Sequence, residues 1–399
     1  MKVLYICTAY PRSEQDVITP WLVETVDRLR RKGIDVTVFT SSYRGLGFQR
    51  LHGTPVYRFR YFFRNWEDLT HDETAIDRVK KGLRYKLMAL CYIFLGTIAA
   101  WRLARRERFD IIHTHWPLPH WLFGWAAAQA CRGRTVISFH GAELMAVRHG
   151  MKLLRPLLYW AIKTCDAVTA NSTHTVRAIQ EIYNRPVTIV PYGTTAGEYT
   201  DKVRTAAGPV KQLLFVGRLV ERKGVPYLVK ATKILSRDLP VHLNIVGTGP
   251  DEDALRRLVA ECGIESLVTF HGFVSSADLA QLYQNCDVFV LPAVFDAKGD
   301  TEGLGVVLID AMSHRRPVVA SGVGGIVDLV IDEKTGLSVP PADEQALAAA
   351  IRRVLTDHDL ADRLAQAGFE HIRKNYSWDA IINRLERIYS RLTTGPDHA

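Results

Sequence analysis

Strand-like and helix-like stretches alternate along the whole chain, and the alternation breaks once, near residue 200. Residues 2–7 are a short apolar run that stops before Pro11. Residues 20–32 have helical spacing, with Leu22, Val26 and Leu29 on one face, and Gly33 ends them. Residues 34–39 alternate and are β-branched, so they read as the next strand. Further strands are predicted at 110–113, 135–139, 167–170 and 187–190. Strands separated by helices need crossovers, and crossovers give a parallel sheet with helices on both faces.

The break begins at Pro191-Tyr192-Gly193 and runs through a polar stretch to Gly208-Pro209, which reads as a linker. A second alternating set follows. Strands are predicted at 213–216, 241–246, 268–270, 288–291, 318–320 and 337–339, with helices at 226–236 and 252–262 and helical pattern from 343 onward. A length of 399 residues suits two domains. The predicted division is 1–195 and 205–375, with a terminal helix at about 376–393 packing back on the first domain. The expected class is α/β, two doubly wound Rossmann-like domains facing a cleft. Open α/β sheets bind ligands outside the carboxyl ends of their strands.

With 47% apolar residues, no low-complexity segment and no solenoid repeat, the chain is neither disordered nor a repeat array. Six cysteines without a C-x-x-C pair read as reduced core residues of a reducing compartment, not as a disulfide set or zinc site. The opening residues read as a buried strand rather than a signal peptide. Residues 1–200 hold 28 Lys/Arg against 16 Asp/Glu, and residues 201–399 hold 23 against 26, so the net +9 comes from the first half. A basic half can meet a phosphorylated acceptor, an anionic membrane surface or nucleic acid; no nucleic-acid module accompanies the charge, so that partner is not expected. The longest uncharged apolar run, 87–101, has 15 residues. That is short of the roughly 20 of a spanning helix. With basic flanks, it reads either as a helix lying on a membrane surface or as a buried helix with solvated ends.

Several strand ends carry residues suited to chemistry. Phe215-Val216-Gly217-Arg218 and Lys223-Gly224 place two cations across a loop, where they could stabilise a departing diphosphate without a metal. The alternative is surface cations. In Thr301-Glu302-Gly303-Leu304-Gly305-Val306, glycines let backbone N–H groups approach a ligand at a helix start, which suits phosphate oxygens. Glu302 can accept from sugar hydroxyls. Asp310, about one and a half turns into that helix, is either a ribose contact or a helix-dipole charge. His140, followed by Gly141, ends a strand; it is a sugar-hydroxyl donor or a satisfied structural histidine. His113, His115 and His120 have no carboxylates nearby, and no metal is expected. Gly247-Thr248-Gly249 has Glu252 where a dinucleotide fingerprint needs its third glycine, against an NAD enzyme.

Together these segments resemble glycosyltransferase family 4, the retaining enzymes of GT-B fold. The likeness runs through DIIHTHW at 110–116, FHGAEL at 139–144, VPYG at 190–193, VGRLVERKG at 216–224, IVGTGP at 245–250, CDVFVLP at 286–292 and EGLGVVLIDAM at 302–312. The resemblance implies that Arg218 and Lys223, beside Gly217, bind the diphosphate. It implies that Glu302 contacts the donor sugar as the first acid of an E-x7-E motif. The backbone of Gly303, Leu304, Gly305 and Val306 would meet sugar and phosphate. His140 would lie near the sugar's 6-hydroxyl and anomeric centre. The region of Phe273 would recognise the base, and Asp310 would hold the ribose.

Three positions depart from the family pattern. Asp310 replaces a Glu and is shorter by one C–C bond, ~1.5 Å. The first loop reads Asp16-Val17-Ile18-Thr19-Pro20 where paired glycines are usual, so no site is carried onto it. Thr195 stands in the region where an Asp follows the VPxG turn. The expected function is transfer of a hexosyl group with retention, from a UDP-sugar first or GDP-mannose second, to a glycan or lipid-linked acceptor. No metal or other cofactor is expected. The rivals are a nucleotide-sugar epimerase of GT-B fold and an inactive nucleotide-sugar-binding subunit. The expected location is cytoplasmic, with peripheral attachment to the membrane face through 78–106.

Overall fold

The computed structural model describes residues 1–73, 75–193 and 208–394. The chain divides into two compact units, 1–193 with 378–399, and 194–377. Thr195 lies outside the described residues.

The first unit is built on an eight-stranded sheet. Its strands are β1 Lys2–Ile6, β2 Asp35–Ser41, β3 Gln49–Leu51, β4 Thr54–Phe59, β5 Ile111–His115, β6 Arg134–Phe139, β7 Ala167–Ala170 and β8 Thr188–Ile189, in spatial order β3-β4-β2-β1-β5-β6-β7-β8. All pairings are parallel except β3 with β4. Side chains of β1 alternate between two cores. Val3 and Tyr5 join Leu22, Val26 and Leu29 of helix Pro20–Arg31 and Ile382, Leu385 and Tyr389 of helix Trp378–Thr394. Leu4 and Ile6 face helices Leu83–Glu107 and Pro117–Cys131. Burial on both faces explains the unbroken apolar character of β1. The terminal helix is tied in by polar contacts too: the Tyr389 hydroxyl lies 2.7 Å from that of Tyr5 and 2.6 Å from His113 Nδ1.

The β3–β4 hairpin is absent from the sequence-based expectation. Its turn is His52-Gly53, both at positive φ. The sequence HG is a weaker hairpin signal than NG or DG, and Pro55 within the run argues against a strand. Pro55 stands near the start of β4, one residue before its pairing with β2 begins at Val56, so its missing N–H interrupts no bond to β2.

The second unit carries β9 Lys211–Val216, β10 Val241–Val246, β11 Val268–Gly272, β12 Val288–Leu291, β13 Val318–Ser321 and β14 Leu337–Val339. The order is β11-β10-β9-β12-β13-β14, with every pairing parallel. This is the 3-2-1-4-5-6 order of a dinucleotide-binding sheet, whose switch point lies between the first and fourth strands. Here that is the boundary between β9 and β12.

Candidate functional site

The loops that leave β9 and β12 meet at the switch point of the second unit. β9 runs into Gly217 and Arg218, then a 3-10 turn, Glu221–Lys223, and helix Val225–Leu235. β12 runs into a longer loop that ends at helix Val306–Ser313. The two are stitched together. Val294 N donates to Arg222 O at 2.9 Å, and Ala297 N donates to Glu221 Oε1 at 3.2 Å. Gly224, at φ +66°, brings the first loop so close to β12 that a Cβ there would lie 1.8 Å from Pro292 O. Only glycine fits such a position.

This stitching brings together Lys223 and Glu302, which are 79 residues apart in sequence. Lys223 Nζ donates to Glu302 Oε2, and both side chains are largely buried. One of the three ammonium donors is thus directed at the carboxylate. Arg218 is exposed and makes no ion pair among the described residues. The Glu302-Gly303 backbone rests on a second glycine pair. Gly325 N donates to Glu302 O at 2.9 Å, and a Cβ on Gly325 would lie 2.0 Å from Gly303 O. Gly303 itself has an ordinary φ and nothing within 4 Å of its built Cβ, so packing does not require a glycine there. Leu304 is buried, and Gly305 caps the helix at φ +80°. Val306 is partly exposed at the first helical position. Asp310 is half-buried in the same helix. Its charge and, more strongly, burial hold the nearby Tyr283 phenol well above its usual range. Phe273 follows the last residue of β11 and is 92% exposed. A cavity of about 660 Å³ in this unit is lined by Glu221, Tyr227, Lys230, Arg257 and Phe295, among others, and by none of these predicted donor residues.

In the first unit His140 leaves β6 into Gly141, which has φ +99°. Both ring nitrogens are engaged: Nδ1 lies 2.7 Å from the Tyr192 hydroxyl, and Nε2 lies 3.1 Å from His115 Nδ1. The ring stacks on Tyr192 with planes 4° apart and on His115 with planes 19° apart. Burial pushes His140 down to about 3 and His113 down to about 3, with His140 adding a smaller downward push on His113. Burial, then His113 and His140, hold His115 well below the usual histidine range. These rings are therefore neutral near pH 7, and the direction of each bond follows from the tautomer. His140 N donates to Glu143 Oε1 at 2.8 Å. The second carboxylate oxygen of Glu143 is buried without a hydrogen-bond partner, and burial raises that carboxyl to about 7. A cavity of about 30 Å³ is lined by Tyr5, Trp21, His113, His115, His140 and Tyr192 with their neighbours. That is room for about one or two waters.

Known proteins share both units. Residues 21–196 match the model of Glycosyltransferase Family 4, and residues 200–371 match that of Glycosyl transferases group 1. The chain belongs to glycosyltransferase family 4. It is 27% identical to an uncharacterised glycosyltransferase of Methanocaldococcus jannaschii over 98% of each chain. It is 28% identical to the GDP-mannose-dependent alpha-(1-6)-phosphatidylinositol monomannoside mannosyltransferase of Mycobacterium tuberculosis, over 89% of this chain and 94% of that one. HepE of Anabaena, solved in complex with UDP, superposes with a TM-score of 0.70 at 19% identity, over 98% of this chain and all of that one. The fold is GT-B, and the protein is a hexosyltransferase by family.

Within this glycosyltransferase the structure brings Lys223, Glu302, Gly303, Leu304 and Gly305 to one place. Gly217 lies on the same loop as Lys223, its built Cβ 3.6 Å from Lys223 Cε. Tyr192, His115 and Glu143 surround His140, and no sequence reading pairs them with it. Tyr192 is 52 residues away, and its only signal is its place in the VPYG turn. Gly324 and Gly325 follow the strand Val318–Ser321. In the fold they are the bed on which Glu302 and Gly303 lie.

Proposed function

We propose that this glycosyltransferase transfers a hexosyl group, with retention, from a nucleotide-diphosphate sugar to a hydroxyl of a glycan or lipid-linked acceptor. The observation that carries the reading is the Lys223–Glu302 contact at the sheet's switch point, beside a glycine-bounded helix start. Arg218 and Lys223 take up the negative charge that develops on the leaving diphosphate, with the backbone N–H groups of Gly303–Val306. Glu302 orients the sugar and fixes the Lys223 ammonium. Phe273 marks the base region, and Asp310 holds the ribose. His140 acts as a neutral hydrogen-bonding group for the sugar. Because His115 and Tyr192 already engage its ring, one of them yields its bond in that role.

In the retaining step the acceptor oxygen bonds to the anomeric carbon on the face from which the nucleotide departs. The bond to the diphosphate oxygen breaks, and the acceptor proton passes to that oxygen. Arg218 and Lys223 do the work of a Lewis acid, so rates with and without a chelator are expected to agree. A UDP-sugar is the first donor to test, supported by the fold shared with UDP-bound HepE, and GDP-mannose the second, supported by the mannosyltransferase relative. That relative's lipid substrate also supports a lipid-linked acceptor. Free cysteines throughout the described residues suit a cytoplasmic location.

A panel of UDP- and GDP-sugars, scored for nucleotide release and for the anomeric configuration of the product by NMR, tests the reading. One donor should dominate and the product should keep the donor's configuration. Inverted product, or release from none of the donors, would overturn it.

A further inference from the structure

The helix Leu83–Glu107 is apolar on two opposite faces. Its inner face, including Met88, Tyr92, Gly96 and Ala100, is buried. A Cβ on Gly96 would lie 2.5 Å from the Phe123 ring, and the Tyr92 hydroxyl lies 2.9 Å from His120 Nε2. Its outer face is Leu83, Leu87, Leu90, Phe94 and Trp101, exposed by 82, 52, 66, 67 and 38%. On a helix of 3.6 residues per turn these five fall within about 60° of one another and form a stripe about 27 Å long. Phe63 and Trp66 are also exposed, and Trp66 adjoins the start of the stripe, where the Arg84 guanidinium lies 4.5 Å from its ring. Soluble chains rarely leave so long an apolar strip uncovered.

The charges around the stripe say what covers it. Between residues 78 and 106 there are eight Lys or Arg and no Asp or Glu. Arg84 and Lys86 stand exposed at one end of the stripe, Arg102, Arg105 and Arg106 at the other. We propose that this face lies flat on an anionic lipid bilayer, the five apolar side chains at the acyl boundary and the cations among lipid phosphates. By length and composition the helix could also cross a membrane. Its inner face is part of the core, however, and insertion across the bilayer would strip Tyr92 and Gly96 from His120 and Phe123. A second copy of the chain is the poorer partner. A two-fold pairing of this stripe would bring the cations of both copies together. Among the described residues only Arg84, 3.8 Å from Asp68, and Arg106, 3.1 Å from Glu107, have an acid beside them, which leaves Lys86, Arg102 and Arg105 of each copy uncompensated.

The inference concerns the first unit's outer surface and does not depend on the donor. Its test is co-sedimentation of the full chain with vesicles of phosphatidylcholine alone or mixed with phosphatidylglycerol. The expected result is partition at least about tenfold stronger with the anionic lipid, falling about fivefold for each of Arg102 and Arg105 changed to Gln. Leu90→Glu with Phe94→Glu should lower partition about tenfold or more, with the melting temperature and nucleotide release unchanged. Sedimentation indifferent to phosphatidylglycerol, or undiminished in the double Glu variant, would overturn the proposal. So would a dimer seen by light scattering that the double variant makes monomeric, without vesicle binding in the parent.

Discussion

In the proposed mechanism the chemistry turns on Lys223 and Glu302, and their contact also complicates mutagenesis. Truncating one partner of a buried pair leaves the other uncompensated, at about 3–5 kcal/mol. Lys223→Ala should therefore lose both stability and activity. Glu302→Gln keeps the volume and an acceptor for Lys223. It should lower turnover about 10²-fold, as misplacement of the sugar and of the Lys223 ammonium does, while the thermal melt stays within a few degrees. Asp310→Ala should raise the donor KM about tenfold or more, the worth of a hydrogen bond to a charged group, with a small change in kcat. A donor titration on both variants checks these outcomes.

Elements decide whether those residues meet. The loops after β9 and β12 come from strands far apart in sequence, and glycines set how closely they approach. Gly303 and Gly325 make opposite predictions although both border the Glu302 backbone, one in its loop and one in the turn beneath it. A Cβ on Gly325 would collide with Gly303 O at 2.0 Å, so Gly325→Ala should displace Glu302. Turnover should fall about 10²-fold, the effect of a misplacement of about 1 Å. Gly303→Ala meets nothing within 4 Å and needs no unusual backbone. It should leave stability unchanged, so any fall in activity reports on the donor itself. Differential scanning calorimetry beside steady-state rates separates the two cases. The strands that hold these loops were legible as apolar runs bounded by turns. The β3–β4 hairpin was not, because its turn residues and its Pro55 carry the signals of a loop.

At the scale of the molecule, titration of the first unit sets its acid limit. Burial holds His71 and His120 down to about 4 and His113 and His140 down to about 3, and it lowers His115 as well. A histidine depressed in the fold contributes stability above its unfolded value of about 6.5. That contribution is lost as pH falls toward 3–4. Each such group adds up to about 1.4 kcal/mol per pH unit. Glu143 acts oppositely: raised to about 7, it favours the fold below its unfolded value and loses that contribution as pH rises to 7. The histidines outnumber it, so the first unit should unfold far more readily at pH 4.5 than at pH 7. All eight tryptophans lie in that unit, so their fluorescence in urea titrations reports on it alone. Equal midpoints at the two pH values would contradict this.

The sequence by itself determined the class of fold, the family and most of the loop proposed to bind the donor. Periodicity and strand-end glycines are local signals, and the motif at 302–312 is contiguous in the chain. It also marked 87–101 as a helix either buried or at a membrane. Only the tertiary structure decided that one face of that helix is core and the other exposed, since a helix's neighbours are set by packing rather than by its own residues. The same holds at the switch point of the second sheet. Lys223 read equally well as a surface cation until strand order placed the loop after β9 beside the loop after β12 and laid Glu302 against it, while Arg218 on the same loop stays exposed.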